Sequence, residues 1–109
     1  VNKGDVLVFD RGYIDFKQFA KYCKEGIYFV TRMKKNASYE ILEEKIVDQY
    51  ENIHYDRIIR MKGPRPGKDC LCDLRIVESY DPDTGKTIVL LTNQLTWSAK
   101  TVSAVYKDR

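Results

Sequence analysis

The sequence predicts an α+β fold, on three observations. A short β-rich run, Asp5 to Phe9, is followed by an amphipathic stretch and a second β-rich run, Ile27 to Met33. The centre, Tyr39 to Thr92, consists of extended runs separated by turn-forming residues. The chain then closes on residues with helical spacing, Val102, Val105 and Tyr106. With 109 residues the chain forms one domain with a small core.

The elements follow in order. Asp5 to Phe9 reads as a strand that ends at Asp10, where Gly12 supplies a turn. Asp15 is placed to cap a helix in which Phe16, Phe19, Ala20 and Cys23 share one side and Lys17, Lys21 and Lys24 the other. Gly26 is a suitable stop for that helix, and the run to Met33 is rich in β-formers. Strand, helix, strand fits a crossover onto one sheet. Tyr39 to Val47 mixes apolar and acidic residues and fits helix or strand. Ile53 to Met61 alternates weakly, and Gly63-Pro-Arg-Pro-Gly67 is a loop. Leu74 to Tyr80 alternates as a strand, residues 81–86 (DPDTGK) form a tight turn, and Thr87 to Thr92 is a strongly apolar strand. The centre is therefore a mostly antiparallel β region. A last helix starts near Thr96 or Ser98 and still runs at Tyr106 and Arg109.

Hydrophobic residues make up 43% of the chain and charged residues 32%, a globular composition. No apolar run approaches the ~20 residues of a membrane helix, so no membrane partner is expected. The N-terminus lacks both a signal-peptide pattern and a Met. With a helix cut in mid-course, that suggests a piece of a longer protein. The net charge of +3 is compatible with a nucleic-acid partner. Cys23, Cys70 and Cys72, an odd set, favour reduced thiols. A C-x-C pair and one histidine argue against structural zinc, which usually takes four Cys or His ligands.

Asp10 is the first candidate for chemistry. At the end of a buried strand, side chains face a shared crevice where sites gather. A carboxylate there suits a hard cation such as magnesium. The local sequence equally allows Asp10 to start a turn before Gly12. Arg32, Lys34 and Lys35 leave the second strand together, and Arg57, Arg60, Lys62, Arg65 and Lys68 follow without an intervening acid. Such residues suit phosphate contacts, or form an ordinary solvated surface. Tyr13, Tyr28, Tyr39, Tyr55 and Tyr80 suit base stacking or a half-buried sheet, and Trp97 a core anchor or a stacking platform. Tyr106 and Arg109, three apart on a helix, share one face and can grip a phosphate together, or mark an ordinary amphipathic helix end.

Two stretches together resemble one family. VFDRGYIDFKQFAKYCKEGIYFVTRMKKNASYEI, residues 8–41, resembles the segment around the second catalytic aspartate of bacterial insertion-sequence transposases of the DDE type. LLTNQLTWSAKTVSAVYKDR, residues 90–109, resembles the approach to that family's third acidic residue. There a Y-x-x-R opens the signature Y-x-x-R-x-x-x-E-x-x-x-x-x-x-K, and Tyr106 and Arg109 fit its first two positions. The resemblance implies a partial ribonuclease-H-like fold, strand-helix-strand, with a mostly antiparallel β insertion and a truncated C-terminal helix. Residues 1–35 would form the strand-helix-strand, 36–92 the insertion and return strand, and 93–109 the start of the final helix of one partial catalytic domain.

The same resemblance implies a reaction. Three carboxylates hold two magnesium or manganese ions, which activate water or a DNA 3′-hydroxyl for attack on a phosphodiester. Asp10 would be the second carboxylate and a metal ligand. Tyr106 and Arg109 would contact transposon-end phosphates, Arg32 would be another DNA contact, and Arg11 would balance local charge or touch phosphate. The partners implied are transposon-end and target DNA and a second copy in a synaptic complex, in the bacterial cytoplasm at the nucleoid. The family's first Asp and its Glu have no counterpart here: Asp5, Asp15 and Asp108 do not fit those positions. The chain alone is therefore expected to be inactive, and to have a sheet edge open to pairing. The competing readings are a non-catalytic nucleic-acid-binding module from a decayed element and a plain interaction domain.

Overall fold

A computed structural model of the chain describes residues 4–9, 16–33, 38–48, 52–62 and 73–108. Its elements are β1 (Val6–Phe9), α1 (Phe16–Glu25), β2 (Tyr28–Arg32), β3 (Tyr39–Glu44), β4 (Ile53–Met61), β5 (Leu74–Asp81), β6 (Lys86–Thr92) and α2 (Ala99–Lys107). The strands form one six-stranded sheet in the order β1-β2-β6-β5-β4-β3. β1 and β2 are parallel, as a strand-helix-strand connection requires, and every other pair is antiparallel. The chain is α+β with a mixed sheet, as its sequence predicts.

The ambiguous stretch after Tyr39 is a strand as far as Glu44. It joins β4 with a register shift between Ile41 and Glu43. A second shift lies in β4, between Ile53 and Tyr55. One extra residue there changes which side chains face which way. It puts Ile53 and Asp56, three apart, on one face of the sheet, beside Ser79 and Val77 of β5.

Each face of the sheet carries a helix. Phe19 of α1 packs on Phe29, Ile59, Met61, Leu74, Ile76 and Leu91. On the other face Val102 and Tyr106 of α2 pack with Val30, Ile53, Val77 and Leu90. Consecutive residues of β5 therefore feed different cores, and Leu74 to Val77 are all buried. That is why Leu74, Ile76 and Val77 of β5 are all apolar although they do not share one face. The sequence pattern of one buried and one wet face holds only toward its Tyr80 end.

Two ends are set by local chemistry. Gly26 has φ 73°, and the backbone N–H groups of Gly26 and Ile27 donate to Cys23 and Tyr22, closing α1. Ser98 caps α2 by accepting from the Thr101 N–H at 3.1 Å. Asp108 is the C-cap of α2, and Arg109 lies outside the described residues.

The direction of α2 follows from the registers. Arg75 lies in the row of Thr92 and Val30, and Ser79 pairs with Ile88, beyond the row of Leu90 and Arg32. The helix begins just after Trp97, whose carbonyl accepts from Arg75. By Ser103, whose hydroxyl meets that of Ser79 at 3.0 Å, it has reached the Ser79 row. It advances in the same sense as β1 and β2, toward the edge where those strands end.

Candidate functional site

β1 and β2 run side by side, with Phe9 opposite Thr31, and end at one edge of the sheet. Asp10 follows Phe9 directly but lies outside the described residues, as do Arg11, Lys34, Lys35, Arg65, Lys68 and Arg109. Arg32 is the last residue of β2, half-buried, opposite Leu90 of β6. It lies on the face that carries α2.

The basic residues of β4 do not form one patch. Arg57 pairs across the sheet with Ile76, on the α1 face, and its Nε donates to Glu44 Oε1 at 3.0 Å. Its guanidinium also lies over the Tyr55 ring, 4.0 Å from the centroid. The Glu44 hydrogen bond pushes the Arg57 pKa further up. Arg60, three residues on, falls on the opposite face and donates to Asp73 Oδ1 at 2.7 Å. Strand alternation thus separates the two arginines, and each is matched by a carboxylate. Lys62 is exposed, its backbone N–H donating to Ser38.

The aromatic residues are mostly built into the sheet. Tyr28, Tyr39, Tyr55 and Tyr80 are half-buried, and Tyr13 lies outside the described residues. Trp97 is half-buried and packs against the α2-side core, 6.5 Å from the Tyr28 ring. Tyr106 is 4% exposed and belongs to that core. Its side chain therefore anchors α2 to the sheet. Tyr55 sits among acids: burial first, then Glu78 and Tyr39, push its hydroxyl up to about 12, against the pull of Arg57.

Sequence reasoning missed a polar network under the start of α2. Arg75 and Asp56 are 1% and 4% exposed. They meet as a two-pronged pair, Nε to Oδ1 at 2.7 Å and Nη2 to Oδ2 at 2.6 Å. Arg75 Nη1 also donates to the carbonyls of Gln94 and Trp97. Gln94 Oε1 in turn accepts from the Thr96 N–H and hydroxyl at 2.8 and 2.7 Å. Asn93 ties the same segment to β2: its Oδ1 accepts from the Phe29 N–H at 2.9 Å and its Nδ2 donates to Ile27 O at 2.8 Å. The signal in the sequence was Arg75 itself, one charge inside Leu74-Arg-Ile-Val77, followed later by the polar run Thr92 to Ser98. A cleft of about 550 Å³ opens beside this network, with Glu43, Asp48, Trp97 and Ser98 in its wall.

Among the described residues no group of three or more His, Cys, Asp or Glu side chains is gathered to hold a metal ion. None of the described helices is long and apolar enough to cross a membrane.

The sheet is thus mixed, with a parallel pair at one side and a helix aimed at the edge where that pair ends. The chain belongs to the family described as Transposase DDE domain, whose model matches residues 1–109. Over 113 residues it is 26% identical to a Sinorhizobium fredii (strain NGR234) protein named "Putative transposase y4zB", covering 100% of this chain and 31% of that relative. The chain thus spans about a third of the length of that relative. No solved structure matches the chain significantly.

Proposed function

We propose that the chain is part of the catalytic domain of a transposase that cuts and rejoins DNA strands with divalent metal ions, on a ribonuclease-H-like sheet. The observation that carries this reading is the whole-chain family match, taken with an aspartate directly after the first of two parallel strands. A carboxylate is a fitting ligand for magnesium or manganese. Bound ions would supply an activated nucleophile and stabilise the leaving oxygen. Asp10 would hold one face of such a site, and Arg32, on the neighbouring strand, would hold a DNA phosphate near it.

One carboxylate does not place two ions, so the chain by itself would be inactive. Lys34, Lys35, Lys62, Arg65 and Lys68 would add backbone contacts to transposon-end or target DNA, as would Arg11 and Arg109. Arg57 and Arg60 are weaker candidates, because each already faces a carboxylate. Tyr106, buried in the core, would serve the same site by anchoring α2 rather than by touching a phosphate. A second copy would complete a synaptic complex at the nucleoid.

The test is magnesium-dependent nicking of DNA that flanks the gene. The product of the whole reading frame should cleave and the Asp10→Ala variant should not. Cleavage by the 109-residue chain alone, lost in Asp10→Ala, would overturn the claim that it is inactive. Unimpaired cleavage by Asp10→Ala would remove Asp10 from the site.

A further inference from the structure

The Asp56–Arg75 pair is more than a packing device. A buried ion pair gives little net stability over an apolar pair of similar volume, because both charges must leave water. What an apolar pair cannot do is hold carbonyl oxygens. Arg75 spends two prongs on Asp56 and its remaining terminal nitrogen on the carbonyls of Gln94 and Trp97. Those two residues bracket the segment that leads into the Ser98 cap of α2. Asp56 is on β4 and Arg75 on β5, so the antiparallel centre of the sheet holds the start of a helix that advances toward the ends of β1 and β2.

We propose that Arg75, braced by Asp56, is a positioning residue that fixes the start of α2 and thereby where its far end meets the edge of the sheet beyond β1 and β2. The guanidinium fork suits this work better than an ammonium, since its donors diverge in one plane at fixed angles. Asp56 keeps the fork in one orientation, and its backbone carbonyl accepts from the Lys45 N–H at 2.8 Å, tying the brace to the chain after β3. The consequence for DNA cleavage rests on the transposase reading above; the hold on α2 does not.

The test uses Trp97, the single tryptophan of the chain, as its reporter. The double variant Asp56→Leu/Arg75→Met removes both charges and is read out once cooperative unfolding shows that it is folded. Its Trp97 emission should shift to the red, and α2 amides should exchange at least about tenfold faster relative to those of β5 and β6. Arg75→Lys, which keeps the charge but not the fork, should move both readouts the same way and covers the case in which the double variant does not fold. Wild-type emission and wild-type α2 exchange in a folded variant would overturn the proposal. In the whole reading-frame product the same variants should lose at least about tenfold in cleavage with DNA affinity unchanged. If the wild-type product does not cleave DNA, the functional reading fails, while fluorescence and exchange still decide the role of Arg75.

Discussion

Arginines with carboxylate partners differ widely here because their surroundings differ. Arg57 and Glu44 meet at 3.0 Å at the surface, the Glu44 side chain mostly in water and that of Arg57 partly so. Arg57→Ala should therefore cost no more than ~1 kcal/mol in urea unfolding. Arg75→Ala strands a buried Asp56 carboxylate and should cost ~3–5 kcal/mol, a large share of the stability of a small domain. Tyr55 gives a pH effect of definite sign. Its hydroxyl titrates at about 12 in the folded chain against 10.0 when free. The neutral form is favoured in the fold, so its contribution is complete below pH 10 and is lost as pH rises toward 12. Tyr55→Phe should flatten that part of the stability profile and remove a phenol that ionises near pH 12 from an ultraviolet titration. None of this could be read from the sequence. Arg57 and Arg75 look alike in a string of letters, and only the registers of β4 and β5 put one in water and the other under α2.

Two helix ends were legible, Gly26 and Ser98, since their signals are local; the last helix, expected to be still running at Arg109, instead ends at Lys107 with Asp108 as its C-cap. Gly26 was assigned as a stop, and its φ of 73° bears that out. Gly26→Ala should cost ~1–2 kcal/mol, because a Cβ disfavours that conformation. Ser98→Ala should cost ~1 kcal/mol through loss of the bond to the Thr101 N–H. In both variants the urea midpoint should fall with the slope unchanged; a changed slope would mean that the unfolded state had moved instead. Strands were legible as strands where β-formers dominate, as in Thr87 to Thr92. The stretch after Tyr39 stays open between helix and strand in the sequence, because Glu40, Glu43 and Glu44 break its apolar pattern, and pairing with β4 decides it. Those acids suit its place at the sheet edge, where exposed charges discourage further pairing. The two register shifts had no sequence signal, being set by which partner each strand finds.

The molecule as a whole was half legible. The class of fold, the parallel first pair and the antiparallel centre follow from patterns over neighbouring residues. The strand order does not, because β2 finds its second neighbour in β6 rather than in β3. The candidate site shows the same division. Asp10 stands out by its place after an apolar run, whereas the Asp56–Arg75 brace joins residues that only the fold brings together. At this scale DNA binding should weaken as salt rises, because phosphate contacts release counterions. Arg32→Ala should lower the salt slope by about one unit, and Arg57→Ala should leave it nearly unchanged. Equal slopes for all three proteins would remove Arg32 from the interface.

The adjacency of β2 and β6 also governs how the chain is made. Arg32 has to wait for Leu90, which leaves the ribosome long after it. β4, β5 and β6 are neighbours in the chain as well as in the sheet, whereas β2 reaches β6 across all the strands between them, the longest closure in the sheet. Before β6 is made, the β6-facing edge of β2 has no strand to pair with, while Phe29 already has Phe19 of α1 to stack on. An unpaired strand edge of that kind is a template for pairing with another chain, and only the arrival of β6 closes it.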